Sequence, residues 1–482
     1  MAVRTPANQA PAVALDNAAS AIASARRAVL ADRYAANSFS VEWRDLTQLA
    51  PIVEEWRTLA ARALEPNVFY EPAFALAAAP VFGRDAAVML VWSGSEPRRL
   101  LGFFPARVEK RRYGVNLPVL VGWTHPYAPF GLPLVEREAA EPITAAWLAH
   151  LAADATLPGL VLLPYLPLDS PFALALDTIG RRAQMPTADF DRHERAQLAP
   201  SGERSHYVEQ ALSKHHHKEL RRCWRRLSET GAVLFTAATD PAAVATAIED
   251  FFMLEAAGWK DRAGTAAAGR PDLDGFMRTA VGGLAAEGKV SIDCMRVDGR
   301  AIATTIILRS GSYAWFWKIA YDEAFARFSP GVILSVAITD EFAGDATIVR
   351  TDSCATTNHP MIDRLWRERL VLCNRLIAVR PQAPFSLPWS GKATLGRNCR
   401  RQERSRTNSS PKAAATTGQR PFINRKTTLR CVTSVSSPGR ACHASRSYSD
   451  QDHSPVGIRL DRPCRLCRWH RLLRIHRPRW NL

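Results

Sequence analysis

The chain has 482 residues, 47% of them hydrophobic, with a net charge of +17. That length allows two or three domains with sizeable cores and excludes a disulfide-stapled miniature fold. The charge is not spread evenly: residues 381–482 hold 21 Lys and Arg against 4 Asp and Glu, which accounts for the whole +17 and leaves 42 of each sign in residues 1–380. The body is therefore electrostatically balanced and has no need of a polyanionic partner.

Taken in chain order, residues 1–37 read as a flexible leader without the compact apolar core of a secretory signal. A first α/β unit is predicted over residues 38–190. Trp43 to Leu64 has a helical period, and Val88–Trp92 and Leu100–Val108 read as strands around a turn containing Gly94, Ser95, Glu96 and Pro97. A loop rich in Pro and aromatics, Trp123 to Gly131, follows, then a helix from about Pro142 to Ala153 and a buried strand at Gly159–Leu163. Arg192–Ser205 reads as a polar connector.

The second unit, residues 206–380, has clearer punctuation. Lys214–Glu229 is a basic helix stopped by Gly231, Val233–Thr236 a strand, and Pro241–Ala256 and Pro271–Glu287 two further helices. Val290–Val297, Ala301–Arg309 and Ser312–Ala320 are strands joined by Asp298-Gly299 and Ser310-Gly311, turn chemistry that predicts an antiparallel meander. A helix opening on Ser329-Pro330-Gly331 comes next, with the serine hydroxyl expected as its N-cap. A strand at Thr347–Asp352, a short helix near Met361–Arg369 and a strand at Val371–Val379 complete the unit.

The tail, residues 381–482, is predicted to be basic and disordered, and it carries five of the nine cysteines: Cys399, Cys431, Cys442, Cys464 and Cys467. A nucleic-acid-binding arm, a small zinc site from Cys464, Cys467, His470 and His476, and a frameshifted reading of the gene compete; the loss of apolar periodicity favours the frameshift. The body cysteines Cys223, Cys294, Cys354 and Cys373 are scattered, as expected of reduced thiols. No segment approaches the roughly 20 apolar residues of a membrane span. A cytoplasmic protein is the expectation.

An antiparallel meander, a loop, a helix and one more strand, with helices in front, is the order of the GNAT acyltransferase core. The pieces Lys214, Leu220-Arg221-Arg222, Arg226-Leu227 and Gly231, then Gly258-Trp259-Lys260, Asp298-Gly299 with Ile302-Ala303, Trp317–Asp322, and Phe325-Ala326 with Ser329-Pro330-Gly331, resemble the CelD-type acetyltransferases named for cellulose biosynthesis. These are a double-domain branch of GNAT proteins related to the Fem aminoacyl-ligases. The resemblance covers residues 214–370. It implies two tandem GNAT-like units, each a mixed, mostly antiparallel sheet flanked by helices.

The resemblance also places acetyl-CoA, or another acyl-CoA, with its pyrophosphate on Arg327, Ser329, Gly331 and Val332. Elementary physics agrees, because a helix start exposes unpaired N–H groups and a positive dipole end. The bland alternative is an ordinary capped helix. Tyr321 at the strand end can protonate a departing thiolate, and Asp322 can orient an attacking amine or merely cap the loop. Lys318, inside an aromatic strand, must face a cleft or a carboxylate.

His125 and Tyr127 belong to a rigid loop that can read a small-molecule or saccharide acceptor, or simply form a surface turn. Successive histidines on a helix splay about 100° apart, so His215, His216 and His217 cannot converge on one ion, and no metal is expected. Cys354 and His359 read as a core thiol and a loop histidine. The basic face of Lys218, Arg221, Arg222, Arg225 and Arg226 is either a solvated surface or a contact for CoA phosphates, a tRNA end or an anionic glycan. The expected function is acyl transfer from acyl-CoA to an amine or hydroxyl, in polysaccharide or cell-envelope biosynthesis. A Fem-like aminoacyl-tRNA-dependent ligase and a non-catalytic GNAT-like module are the rivals. Nucleic acid is expected only through the tail, and the oligomeric state is not legible.

Overall fold

The computed structural model describes residues 39–112, 116–200, 206–258, 267 and 269–381. The leader, the tail with its cysteines and histidines, and Trp259 with Lys260 lie outside them.

The first half begins with strand β1 (Phe39–Asp45), two 3-10 turns and helix α1 (Val53–Arg62). The helix predicted from Trp43 therefore starts ten residues late. Phe39–Asp45 alternates between half-buried and exposed positions and pairs with its neighbour as an edge strand, and Pro51 lies in the turn before the helix. Helix α2 (Pro72–Phe82), β2 (Ala86–Ser93), β3 (Leu100–Glu109), β4 (Val119–Gly122) and the short β5 (Leu134–Val135) follow. Helix α3 (Ala140–Ala153), β6 (Leu160–Pro167), α4 (Pro171–Arg182) and β7 (Thr187–Leu198) close the half. Ser170 caps α4 by accepting the Ala173 N–H at 3.0 Å, with Pro171 at the first helical position.

The second half runs α5 (Tyr207–Ala211), α6 (Lys214–Ser228), β8 (Val233–Ala238), α7 (Pro241–Ala256) and α8 (Pro271–Ala286). The meander β9 (Val290–Val297), β10 (Arg300–Ser310) and β11 (Tyr313–Tyr321) comes next, then α9 (Pro330–Gly344), β12 (Arg350–Asp352) and β13 (Glu368–Ala378). The meander is antiparallel in register as expected, Ile306 facing both Ile292 and Lys318. The helix expected near Met361–Arg369 shrinks to one 3-10 turn at Ile362–Arg364, because Glu368 already opens β13.

All these strands form one mixed sheet in the order β1-β2-β3-β4-β6-β13-β7-β12-β11-β10-β9-β8, with β5 alongside β3. Each half contributes three antiparallel strands, a fourth, and a fifth parallel to the fourth. Its last strand crosses over. β7, from the first half, pairs with β12 of the second, while β13, from the second, pairs with β6 of the first. β7 and β13 then pair with each other at the centre.

This exchange explains why Arg192–Ser205 did not read as a strand. Residues 192–198 lie in β7, whose charged side chains find partners on neighbouring elements: Arg195 pairs with Asp352, both buried, and Arg375 on β13 binds Asp189 through two bonds of 2.8 and 2.9 Å. Polar residues satisfied in this way hide a central strand from any periodicity test.

Between the halves, α2 packs on α8. A Cβ at Gly283 would sit 3.0 Å from the Ala73 side chain, so glycine permits the close approach. Phe74 meets Phe276 edge to face at 5.5 Å and Trp317 at 5.7 Å, and the buried Glu71 accepts Ser310 Oγ at 2.6 Å and Lys289 Nζ at 2.9 Å. On the opposite face of the second half, Leu227 of α6 joins Phe316, Ile333, Leu334 and Phe342 in a separate core.

Candidate functional site

β11 and β12 pair in parallel only from Tyr313 to Trp315, opposite Arg350 to Asp352. Beyond that they part, and the gap is a cleft of about 680 Å³. Its walls are Phe316–Tyr321 of β11, Ser329–Val332 at the start of α9, the segment from Ser353 to Ile362, and Leu254, Glu255 and Gly258 at the end of α7.

The turn before α9 is built by Asp322, whose carboxylate accepts the Ala324 N–H at 2.9 Å and pairs with Arg300. Both carboxylate oxygens are thus engaged in holding the loop. The 3-10 turn Glu323–Phe328 ends on Ser329, which adopts left-handed backbone at φ 53°. Here the expected N-cap fails: Ser329 makes no side-chain bond to α9, because its left-handed backbone replaces the extended one a capping serine needs. Its hydroxyl lies instead against the Cys223 thiol of α6. The Ile333 N–H bonds Ser329 O at 3.1 Å, and Pro330 has no N–H. Among the described residues the free first-turn donors are therefore Gly331 and Val332. A Cβ at Gly331 would lie 3.5 Å from the Tyr321 ring and 3.6 Å from Ile319, so this glycine faces the cleft wall with ordinary room.

Arg327 is exposed and stacks on Phe328 at 4.7 Å. Tyr321 lines the cleft beside Gly331. Lys318 also lines it, with its ammonium 3.9 Å from the centre of the Tyr127 ring, a cation–π contact. The structure thus gathers Lys318, Tyr321, Ser329, Gly331 and Val332 at one opening.

His125 and Tyr127 are placed differently. His125 does not line the cleft; it stacks on Phe82 at 4.1 Å, with Phe74, Trp123 and Phe276 around it. Burial and the nearby Lys318 and Arg107 push its pKa down from 6.5 to about 3, and neither ring nitrogen finds a hydrogen-bond partner among the described residues. Tyr127 is held beneath Lys318, its pKa pushed up to about 12 by burial, and its carbonyl accepts the Trp317 indole N–H at 2.8 Å. The loop backs the cleft through these contacts.

Two features escaped the sequence reading. One is a β-bulge: Ile306 faces Lys318 while Ile307 faces Phe316, so Trp317 is the extra residue of β11 at the cleft. Its signal was present in Trp315-Phe316-Trp317, an aromatic run that breaks strict alternation. The other is that Cys354 and His359 both line the cleft. Burial pushes the Cys354 thiol well above its usual pKa, which argues against a ready thiolate, and burial lowers the pKa of His359, which Asp363 opposes. Among the described residues no group of three or more His, Cys, Asp or Glu could hold a metal ion, and no helix is long and apolar enough to cross a membrane.

Residues 214–348, from α6 to just before β12, match the family model for the acetyltransferase (GNAT) domain. Among solved structures the chain is similar to FemX, at 10% identity over 68% of this chain and 95% of that one, with a TM-score of 0.46. It is similar to the C-terminal domain (DUF2156) of a putative lysylphosphatidylglycerol synthetase from Agrobacterium fabrum, at 12% identity over 68% of this chain and 92% of that one, TM-score 0.43. A tandem GNAT protein from the clavulanic acid biosynthesis pathway matches at 12% identity over 71% of this chain and 99% of that one, TM-score 0.33. No curated protein matches the chain.

Proposed function

We propose that the second half is a GNAT-type acyltransferase of the CelD-like branch, moving an acetyl or other acyl group from a CoA thioester to an amine or hydroxyl. The single observation that carries this is the placement of the Gly331 and Val332 N–H groups, free at a helix start, on the wall of an open cleft between β11 and β12. The match of residues 214–348 to the acetyltransferase domain supports it.

The residues present suit a CoA-type donor. Two convergent main-chain donors and the α9 dipole favour a diphosphate, and Gly331 lets it approach closely. When bound, acyl-CoA supplies the electrophilic carbonyl that the acceptor attacks. The chain supplies position and charge. Trp317, the bulge residue left out of the β10–β11 register, lies on the cleft wall, where a main-chain N–H would stabilise a developing oxyanion. Tyr321, beside Gly331, would return a proton to the departing thiolate. Lys318, fixed over Tyr127, sets the charge at the acceptor end. Asp322 holds the turn that presents Ser329–Val332. A direct attack needs alignment and one proton transfer, not a protein nucleophile, which suits a site whose cysteine is held neutral. A saccharide or cell-envelope precursor is the proposed acceptor class.

The test is calorimetric titration of acetyl-CoA into the full chain and into Gly331→Val. The native chain should bind, and the variant, folded but with its cleft wall filled, should lose at least about tenfold in affinity, or about 1.4 kcal/mol. Equal affinity in both would remove this site from the reaction.

A further inference from the structure

The exchanged strands do more than join the halves. β12 ends at Asp352, whose carboxylate pairs with Arg195 of β7 through one oxygen and accepts the Cys354 N–H at 2.9 Å through the other. The Ser353 N–H bonds Ala196 O of β7 at 3.2 Å. Cys354 is thereby held in left-handed backbone at φ 51°, a conformation that a residue with a side chain keeps only when its surroundings impose it. Ser353 and Cys354 line the cleft where β12 leaves β11, and the Arg195 charge acts on the Cys354 thiol. The first half repeats the device with the roles reversed. Tyr165, just past the point where β6 leaves β4, is also left-handed at φ 51°, and its N–H donates at 3.3 Å to the Asn374 side chain of β13, the strand that comes from the second half. In each half a polar residue of the borrowed strand thus supports a left-handed turn at the parting of the parallel pair. The Tyr165 turn is packed against Gly131, while the Cys354 turn faces open space.

We infer that Asp352, oriented by Arg195 from the first half, is a positioning residue of the cleft: it sets the turn at Cys354, and so the wall across from Trp317 and Lys318 of β11. This rests on the proposed use of acyl-CoA and adds that the acyltransferase half is incomplete without the other. The second half supplies the N–H groups of Gly331 and Val332, and the first half holds the facing wall in place. A buried ion pair is, as a rule, no more stabilising than apolar residues of the same volume. The pair is accounted for by what the carboxylate does with its second oxygen. Arg195 fixes one oxygen, which leaves the other aimed at the Cys354 N–H.

The experiment compares the full native chain with two double variants, Arg195→Met with Asp352→Asn and Arg195→Met with Asp352→Leu. Both remove the buried charges together, so both should keep the native circular dichroism. Only the asparagine variant keeps an oxygen that can accept the Cys354 N–H, though no guanidinium orients it. In calorimetric titration it should bind acetyl-CoA within about threefold of the native chain, while the leucine variant should bind about tenfold or more weakly. Iodoacetamide labelling of Cys354, read on its own peptide by mass spectrometry, should be fastest in the leucine variant. Equal affinity of the two variants, whether native-like or reduced alike, overturns the inference while leaving the diphosphate site standing. A weaker leucine variant with native-like labelling overturns it too, because the turn has not moved. Hydrogen exchange of the native chain needs no variant: the Cys354 amide, though past the end of β12, should be protected like that of Thr351. Exchange at the rate of an open loop overturns the inference. Binding of acetyl-CoA to none of the three proteins removes the acyl-CoA reading and the positioning role with it.

Discussion

The two halves of the sheet contain the same opening, and only one of them is open. β4 and β6 pair in parallel at Leu120–Val121 and Val161–Leu162 and then part, as β11 and β12 do after Trp315. In the first half the gap is filled by the chain itself. The Gly131 N–H bonds Tyr165 O at 3.3 Å on β6, Tyr70 donates its hydroxyl to Trp123 O at 2.6 Å, and about 10 Å³ of space remains. In the second half a compact turn leads straight to Pro330 and the start of α9, leaving about 680 Å³. One topology thus gives a packed core on one side and a cleft on the other. The difference lies in the segment after the fourth strand: aromatic and long at Trp123–Pro133, shorter and held by the Asp322 carboxylate at Asp322–Ser329. Fold alone does not assign the site; that segment does.

The comparison depends first on the exchanged strands that hold both openings in one sheet. Asp352→Ala would leave Arg195 buried without a counter-ion on β7 and should lower the unfolding free energy by about 3–5 kcal/mol in a single transition. Two separate denaturation transitions, with only one of them shifted, would show that the halves do not share their centre.

A second prediction sets one glycine against the other. A Cβ at Gly131 would fall 1.9 Å from Pro164 O, whereas one at Gly331 would lie 3.5 Å from a ring edge. Gly131→Ala should cost about 1–3 kcal/mol in urea denaturation. Gly331→Ala should stay within about 0.5 kcal/mol of the native chain. Equal costs would mean that the two openings are packed alike.

A third prediction concerns His125 in the filled half. Its ring stays neutral in the folded chain down to about pH 3, while the unfolded chain takes up a proton below about 6.5. The unfolded state therefore binds more protons in that window, and stability falls as pH drops from about 6.5 toward 3. His125→Phe should remove this dependence and gain about 2 kcal/mol over the native chain at pH 5 relative to pH 7.5. An unchanged difference across that range would place the imidazole in contact with solvent or an acceptor.

Much of the second half was legible because its turns carry their own chemistry: Asp298-Gly299 and Ser310-Gly311 marked the meander, and Ser329-Pro330-Gly331 marked a helix start. The first half was harder. Pro80 lies inside α2, a helix whose alanines give no periodic signal, and β1 sat hidden in a helical-looking run. The strand exchange could not be read at all, since Arg195 and Arg375 look like surface residues until their carboxylates arrive from distant segments. At the site, the gathering of Lys318, Tyr321 and Gly331 followed from the strand–turn–helix order. The retreat of His125 into an aromatic stack depended on Phe82 and Phe276, which lie far away in sequence.

The most direct measurement is amide hydrogen exchange of the full chain with and without acetyl-CoA. The account predicts slower exchange at Gly331 and Val332 and along Ser353–Met361, with the segment from Val119 to Pro133 unchanged. Protection confined to the first half, or none at residues 329–333 under saturating ligand, would contradict it.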